Sequence, residues 1–294
     1  MKEFDLLKIV EEFFGHEDIL IPAGKHDAAY VRANDKFLVL TCDTVNEKSD
    51  FPRFMKAEEM GYMAASVTLS DIAACGAKPL FFLNAISMKE ADFDLFKRIL
   101  IGIKDVCSKY GVKVAGGDID FSETLTISGF AVGEAKRIIT RNSAKPGENV
   151  YVTGLLGKAQ LCLELLEKGF DRESLPYPES LYKPEPRIRE GLKISEYASA
   201  LTDISDSLAV SAHLMARGSG VKIVFESIPT KHLENYPVDP LELFLYGGGD
   251  FELLYTAKHS EDGIKIGKVE EGKGVYLKVD EELKKVEFRG YSHF

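Results

Sequence analysis

Aspartates recur along this chain at the ends of short apolar segments. Each one alone is more often a helix cap or a turn residue than a functional group. Several of them together, each beside Gly, Ala or Ser, favour a shared site, because carboxylates are the hard oxygen ligands that Mg²⁺ prefers. Five turns carry these residues: HDAA at Asp27, CDT at Asp43, LSD at Asp71, GGD at Asp118, and DISD at Asp203 and Asp206.

Length and charge limit the class of protein. The 294 residues are near the length at which one hydrophobic core stops growing and a chain divides into two domains. Hydrophobic residues make up 45% and charged residues 29%, which is typical of a globular protein and not of a disordered one. The net charge of −10 repels nucleic acid and anionic lipid. It also repels a polyphosphate substrate unless cations bridge the two, which favours bound metal.

Cysteine usage and the first residues indicate the compartment. The four cysteines lie far apart with no CxxC pair, as reduced thiols do. The opening residues are acidic and amphipathic, unlike a signal peptide. No apolar stretch reaches the ~18 residues that suggest a membrane span. We therefore expect a cytoplasmic protein without nucleic-acid or membrane partners.

The hydrophobic periodicity predicts an α/β chain of the mixed, α+β type rather than a regular βαβ array. A β-hairpin is expected where two short apolar runs meet at Asn34 and Asp35. Helices are predicted over 3–14, 57–75, 92–110, 157–168, 189–200 and 209–218. Strands are predicted over 28–33, 36–42, 80–88, 112–115, 125–133, 221–225, 252–257 and 275–279, with a further strand beginning after Gly147.

A segment rich in turn-forming residues divides the chain. RNSAKPG at 141–147 precedes a new strand, which places the expected domain boundary near residue 140. The predicted domains are therefore 1–140 and 141–294.

Other sequence motifs are less informative. Glycine pairs such as Gly116-Gly117 let backbone N–H groups approach an anion, but the chain has neither the P-loop nor the dinucleotide fingerprint. The GxSxG and HExxH motifs of hydrolases and metalloproteases are also absent from the sequence.

The motifs taken together resemble the thiamine-monophosphate kinase family, part of the superfamily that includes aminoimidazole ribonucleotide synthetase and selenophosphate synthetase. The resemblance covers residues 24–256, in the family's order and without large gaps. The matching segments are HDAAY, LTCDTVNEKSDF, GYMAASVTLSDIAACGAKP, KYGVKVAGGD, RNSAKPGENVYVTGLLG, LTDISDSLA and GGGDFELLYT.

The resemblance implies an N-terminal α/β domain that dimerises through its sheet and a C-terminal α/β domain. ATP would bind across a cleft with several Mg²⁺ ions, or with Mn²⁺. The implied metal ligands are Asp27, Asp43, Asp71, Asp118 and Asp206. The residues implied for catalysis are Ser205, Asp206 and Arg141, and those for nucleotide binding are Thr44, Gly116, Gly117, Asp118, Arg141 and Lys145. Asp50, Phe51, Asp250 and Phe251 are implied on the side of the phosphate acceptor.

Several positions depart from the family pattern, mostly on the acceptor side. Asp50 stands where the family has His. Such a charge reversal, if buried, weakens ligand binding by on the order of 2–5 kcal/mol. We therefore expect weak binding of thiamine monophosphate and ATP turnover that does not depend on it, unless Lys48 or His26 supplies the missing positive charge. The other departures are His26, Thr68, Ser207, Gly249 and Phe251.

Three functions are compatible with this sequence. The first is a Mg²⁺-dependent kinase that phosphorylates thiamine monophosphate or another phosphorylated small molecule, with no covalent enzyme intermediate. The second is an ATPase or phosphatase on the same scaffold, in which metal activates water. The third is a non-catalytic nucleotide-binding protein. The implied oligomer is a homodimer.

Overall fold

The computed structural model describes residues 2–15 and 19–293, and of residues 2–4 it describes the backbone. Within these residues the chain forms two β-sheets and eight α-helices, so the expected mixed α/β fold is confirmed. The helices are α1 Lys2–Phe14, α2 Ala57–Ala74, α3 Phe93–Lys109, α4 Lys158–Glu167, α5 Pro178–Tyr182, α6 Ile188–Ile194, α7 Leu208–Ser219 and α8 Pro240–Tyr246. The strands are β1 Ala29–Ala33, β2 Lys36–Asn46, β3 Lys78–Met88, β4 Lys113–Phe121, β5 Thr126–Ala135, β6 Asn149–Val152, β7 Ala200–Ile204, β8 Lys222–Phe225, β9 Glu252–Ala257, β10 Ile264–Glu270, β11 Gly274–Val279 and β12 Glu282–Lys285.

The first sheet has the order β1-β2-β5-β3-β4 and is antiparallel except between β3 and β4. Helix α2 covers one face, packing against β2 and β5. Alternation along β2 turns Val39 and Val45 toward this helix and leaves Leu40 and Thr44 on the opposite, more exposed face. Asp43 points to the helix side, since it shares the parity of Val39 and Val45.

The second sheet has the order β12-β11-β8-β10-β6-β9-β7. All six residues of β9 and all five of β7 are buried, because helices and the first half of the chain cover them. Helix α2 also contacts β7 and α6. It therefore lies between the two sheets and brings the end of β2 toward the end of β7.

The first hydrophobic core extends across both sheets. It contains Tyr30 of β1 together with Tyr151, Leu201 and Tyr255 of the second sheet. The Tyr30 hydroxyl lies 2.9 Å from the carbonyl oxygens of both Cys75 and Ile139, which ties β1 to the segment between the sheets. The domain boundary near residue 140 stays a prediction, since this core spans it.

Most predicted elements are confirmed, and three differ. Strand β2 runs to Asn46, so Asp43 and Thr44 lie inside a strand paired with β5 and not in a turn after it. Strand β4 runs to Phe121, so GGD lies inside a strand paired with β3 and not in the turn after it. The helix expected over 189–200 ends at Ile194, because β7 begins at Ala200 and pairs with β9. None of the described helices is long and apolar enough to cross a membrane.

Helices α2 and α3 approach so closely that only glycine fits at two contacts. A Cβ atom on Gly102 would lie 1.8 Å from the Glu58 carbonyl oxygen, and one on Gly61 would lie 1.9 Å from the Ile99 carbonyl oxygen. Backbone atoms on both sides leave little room for local adjustment. The position of α2, which carries Asp71, depends on this contact.

We predict that Gly102→Ala destabilises the protein by about 1–3 kcal/mol, because the new methyl group overpacks the α2–α3 contact. Helix propensity alone would give the opposite sign, a gain of roughly 1 kcal/mol. Urea unfolding measures the change, with Ser108→Ala on the exposed face of α3 as the control. A Gly102→Ala variant as stable as the control would contradict this packing.

Candidate functional site

Two cavities meet at the turn that follows β7. The larger has a volume of about 460 Å³ and the smaller about 350 Å³. Asp203, Ser205 and Asp206 line both of them. This turn is therefore a common wall, and groups bound in the two cavities would face each other across it.

The larger cavity has a mixed lining of four basic and four acidic side chains, the acidic ones being Glu11, Asp27, Asp203 and Asp206. It lies between α1, the loop before β1 and α7, and four cations line it within the described residues. Arg141 donates to Asp27 over 3.0 Å, and Thr202 donates to the other oxygen of Asp27 over 2.7 Å. The four cations are Lys8, Lys25, Arg141 and Arg217.

The smaller cavity is acidic and partly apolar. Helices α2, α4 and α5 supply apolar side chains, and Phe251 adds an aromatic ring. Of the described residues that line it, His293 alone is basic. Its acidic residues are Asp43, Asp50, Asp71, Asp203 and Asp206.

A glycine loop fixes the turn that separates the cavities. The Gly249 amide donates to the Ser205 carbonyl over 2.8 Å. A Cβ atom on Gly248 would lie 2.8 Å from the Asp206 carbonyl oxygen and 3.0 Å from that of Ser205, so this position excludes larger residues. Phe251 adopts φ of 50°, a strained conformation for a side chain of this size and one found at functional sites.

Four aspartates from distant parts of the chain influence one another at this wall. Burial raises the pKa of Asp71 well above its ordinary value, and the charges of Asp43, Asp203 and Asp27 raise it further. Burial likewise raises the pKa of Asp43, and a hydrogen bond between Asp43 and Asp71 opposes that rise. Carboxylates concentrated in this way are stabilised when a cation joins them.

Asp203 is the most enclosed member of this group. It is 6% exposed, and the Ser70 hydroxyl donates to its carboxylate over 2.6 Å. Burial, followed by the charge of Asp27, raises the pKa of Asp203 to about 8. Helix α2 thus supplies both Ser70 and Asp71 to the acidic wall.

The residues present fit a magnesium ion that shares its coordination with a ligand. In the described part of the chain, no three Asp, Glu, His or Cys side chains converge closely enough to hold an ion by themselves. Mg²⁺ commonly takes one or two carboxylates and completes its shell with phosphate oxygens and water. The hard oxygen donors and their raised pKa values suit that arrangement.

Comparison with known proteins assigns the chain. Residues 25–135 match the model of the AIR synthase related protein, N-terminal domain. The thiamine-monophosphate kinase of Archaeoglobus fulgidus is 63% identical over 295 residues, covering 100% of this chain and 98% of that protein. The chain belongs to the thiamine-monophosphate kinase family. It is therefore an ATP-dependent kinase, and the non-catalytic alternative has no support.

Solved structures agree with this assignment. A structure described as AaThiL complexed with AMPPCP and TMP is 35% identical, with a TM-score of 0.90 and coverage of 100% of this chain and 98% of the other. The thiamine monophosphate kinase of Aquifex aeolicus is 33% identical, with a TM-score of 0.84, covering 97% and 99% of the two chains.

The structure gathers most of the residues that the thiamine-monophosphate kinase motifs indicated. Asp27 and Arg141 line the larger cavity, and Asp43, Thr44 and Asp71 the smaller. Asp50 and Phe251 also line the smaller cavity, and Ser205 and Asp206 line both.

The glycine pair and its aspartate lie elsewhere. Gly116, Gly117 and Asp118 lie on the exposed edge strand β4 and line neither cavity. Asp118 shares its register row with Ala85, Ser128 and Thr44 on the open face of the sheet. Three strand spacings, roughly 14 Å in all, separate Asp118 from Thr44.

Three further residues do not line either cavity. Lys145 belongs to the turn before β6, where its amide donates to Glu148 over 3.0 Å. Phe51 packs against the first hydrophobic core. Asp250, expected on the acceptor side, instead accepts from the amides of Gly157 and Ala159 at the N-terminus of α4. A helix N-terminus attracts a carboxylate, which explains this placement.

The sequence motifs did not indicate every residue that lines the two cavities. Asp203 was visible in DISD, yet the family match drew attention to Asp206 and left Asp203 out of the expected metal ligands. Tyr291 and His293 line the smaller cavity from the end of the chain, beyond the stretch that carries the family motifs. No local sequence signal marked these two residues.

We predict that Asp203→Asn raises the thermal midpoint of the metal-free protein at about pH 9 and changes it little at about pH 5. The folded protein keeps the Asp203 proton up to about pH 8, whereas the unfolded chain releases it near 3.8. Wild-type stability therefore falls as the pH rises through this window, and Asn removes that loss.

Thermal unfolding in EDTA at the two pH values measures this effect. Asp35→Asn, at an exposed turn, is the matched control. A parallel shift of the Asp203→Asn and control midpoints at both pH values would show that Asp203 is not strained by its neighbours.

Proposed function

We propose that this protein transfers the terminal phosphoryl group of ATP to thiamine monophosphate, forming ADP and thiamine diphosphate. The observation that carries this proposal is the pair of cavities that meet at Asp203, Ser205 and Asp206, one lined within the described part of the chain by four cations balanced by four acids and the other mainly acidic and apolar. A donor in one cavity and an acceptor in the other would react across that wall.

The larger cavity suits ATP. A triphosphate approaching a chain of net charge −10 needs local positive charge. Among the described residues, the larger cavity offers four cations, Lys8, Lys25, Arg141 and Arg217, against four acids, whereas the smaller has one histidine against five aspartates. Arg141 is 16% exposed and already paired with Asp27, so its guanidinium is oriented before the nucleotide arrives.

The smaller cavity suits thiamine. The thiazolium ring of thiamine is a permanent cation and is aromatic, and the second ring of thiamine is aromatic as well. Acidic side chains such as Asp43 and Asp50 attract the cation, while Met63, Leu163 and Phe251 offer apolar contact. A substrate that carried only negative charge would find this lining unfavourable.

The chain's own residues position the reacting groups. The Gly248-Gly249 loop fixes the turn that carries Ser205 and Asp206. On this turn the two residues would align the donor and acceptor phosphates for in-line transfer. Mg²⁺ or Mn²⁺, held by Asp27, Asp43, Asp71 and Asp206 with phosphate oxygens, would neutralise the charge that develops during transfer. No covalent enzyme intermediate is needed.

Several departures from the family pattern have structural explanations that leave thiamine binding intact. The Asp50 carboxylate accepts through Oδ2 from the Asn46 amide over 2.8 Å and from the Ser49 hydroxyl over 2.7 Å, so its own turn fixes the orientation of this side chain. Thr68 is fully buried and donates to the Ala64 carbonyl over 2.9 Å. Weak binding of thiamine monophosphate stays a prediction, and these contacts argue against it.

We expect ADP formation to require thiamine monophosphate and to be matched by thiamine diphosphate formation. EDTA should abolish both, and so should Asp43→Asn and Asp71→Asn, because each removes a carboxylate from the acidic wall. The two products are measured side by side by chromatography, with Asp35→Asn as the control for the substitution itself.

ADP release that ignores thiamine monophosphate would overturn the proposal and favour the hydrolase. Activity that persists in EDTA would exclude the metal while leaving the acceptor assignment intact.

We also propose a homodimer formed through the open face of the first sheet. Leu40, Phe81, Leu83 and Phe130 are 39%, 42%, 37% and 41% exposed on this face, which none of the described helices covers. A contiguous apolar patch of this kind marks an interaction surface. A second copy fits best, since a two-fold axis would pair the patch with itself and cover the β4 edge.

Phe130→Asp should convert the dimer to a monomer, because the interface would then bury two unpaired charges. Light scattering at micromolar concentration measures the mass. Phe170→Asp is the matched control, since Phe170 is 44% exposed and lies in the second half of the chain. A monomeric wild type would refute the dimer, and a dimeric Phe130→Asp variant would place its interface elsewhere.

A further inference from the structure

A hydrogen bond between Ser70 and Asp203 joins the two halves of the chain at the wall between the cavities. Ser70 belongs to α2, which covers the first sheet, and Asp203 belongs to β7 of the second sheet. The Ser70 hydroxyl donates to Oδ2 of Asp203 over 2.6 Å. Ser70 is fully buried and lines neither cavity, so it can act on a bound ligand only through its neighbours.

This bond is particular to position 70 and is not a general property of the helix. A serine or threonine inside a helix commonly donates to the carbonyl four residues earlier, as Thr68 does to Ala64 over 2.9 Å. Ser70 instead donates across to the other sheet. Ser66, one turn earlier and equally buried, has no partner for its hydroxyl among the described residues.

The Asp203 residue is fixed from three directions. Its backbone pairs with Leu253 of β9, and its carbonyl accepts from the Ser211 hydroxyl over 2.9 Å. Ser70 fixes the carboxylate, which is the part that could otherwise rotate. Oδ1 of Asp203 accepts no hydrogen bond from the described residues, so it remains for a group bound in the cavities that Asp203 lines.

Neighbouring residues of α2 serve the two sheets. Successive side chains of a helix point about 100° apart. Ser70 therefore faces β7, while Asp71 accepts a hydrogen bond from Thr41 of β2. The step from Ser70 to Asp71 along a rigid helix thus sets where the carboxylates of Asp71 and Asp203 stand relative to each other.

A second bond crosses between the halves in the opposite direction. Thr202 of β7 donates to Asp27, in the loop before β1, over 2.7 Å. Successive side chains of a strand point to opposite faces, so Thr202 and Asp203 hold β7 to the first half of the chain from both sides. Thr202 lines the larger cavity itself, whereas Ser70 does not, so Ser70 is the residue whose effect can be separated from direct ligand contact.

We propose that Ser70 is a positioning residue of this kinase: its hydroxyl orients the Asp203 carboxylate toward the cation and nucleotide that bind at the wall. The cation and nucleotide are those of the proposed function, on which this assignment rests. Through this bond α2 aligns an acid of the second sheet with the acids that it gathers from the first.

Calorimetric titration with AMPPCP, a non-hydrolysable analogue of ATP, at saturating Mg²⁺ tests the assignment. Ser70→Ala should raise the dissociation constant about tenfold to 100-fold, the usual effect of removing a residue that orients a metal-site carboxylate. Ser70→Thr, which keeps the hydroxyl, should recover most of the affinity. In EDTA the wild type and Ser70→Ala should bind equally weakly, because the difference between them needs the cation.

Ser66→Ala is the matched control, since it removes a buried hydroxyl without a partner from the same helix and should leave the affinity unchanged. In an Asp203→Ala background, where the acceptor of the bond is gone, Ser70→Ala should cause no further loss. Thermal unfolding checks that each variant is folded. If Ser70→Ala does not fold, Ser70→Cys, which is a weak donor, takes its place with the same expected loss.

Three results would overturn the assignment. They are an unchanged affinity in Ser70→Ala, an equal loss in Ser66→Ala, and a loss of undiminished size in the Asp203→Ala background, which would mean that Ser70 acts through the packing of α2. A wild type that binds AMPPCP with Mg²⁺ but forms no thiamine diphosphate would refute the proposed function, while the binding data would still decide the role of Ser70.

Discussion

Mutual repulsion among buried aspartates is the constraint on which the rest of this structure depends. Burial, together with the charges of neighbouring aspartates, raises the pKa of Asp43, Asp71 and Asp203, and the surrounding elements must hold these groups together against that repulsion. Ser70, Thr202 and Arg141 each contribute a contact to this group. The close glycine contact between α2 and α3 keeps the helix that carries Asp71 in place. Holding these carboxylates together lowers the stability of the metal-free protein, and a bound cation would relieve that cost.

The linings of the two cavities differ in charge. Among the described residues, basic and acidic side chains in equal number line the cavity proposed for ATP, and acidic and apolar ones line the cavity proposed for a cationic aromatic acceptor. The shared wall is rigid because Gly248 lies against the carbonyl groups of Ser205 and Asp206. A rigid wall suits phosphoryl transfer, in which positioning and charge neutralisation supply most of the catalysis.

The positions that depart from the family pattern acquire physical explanations in the fold. Ser207 begins α7 by accepting from the Val210 amide over 3.0 Å, and it also donates to the Arg289 carbonyl near the end of the chain. Gly249 adopts φ of 84°, which glycine reaches without strain, in the loop that fixes the wall. Ser207 lines neither cavity and Gly249 contributes no side chain to the smaller one, so their substitution does not by itself indicate a new substrate.

The sequence by itself determined the α/β class, most of the helices and strands, the family and most of the aspartates that line the two cavities, because local periodicity and motif order are encoded over short stretches. Only the tertiary structure decided which of those carboxylates meet. Asp43 and Asp203 lie on strands of different sheets and come together because α2 packs between them. The placement of Asp118 on an edge strand, the attachment of Asp250 to α4, and the arrival of Tyr291 and His293 at the smaller cavity likewise depend on long-range packing, which no local pattern specifies.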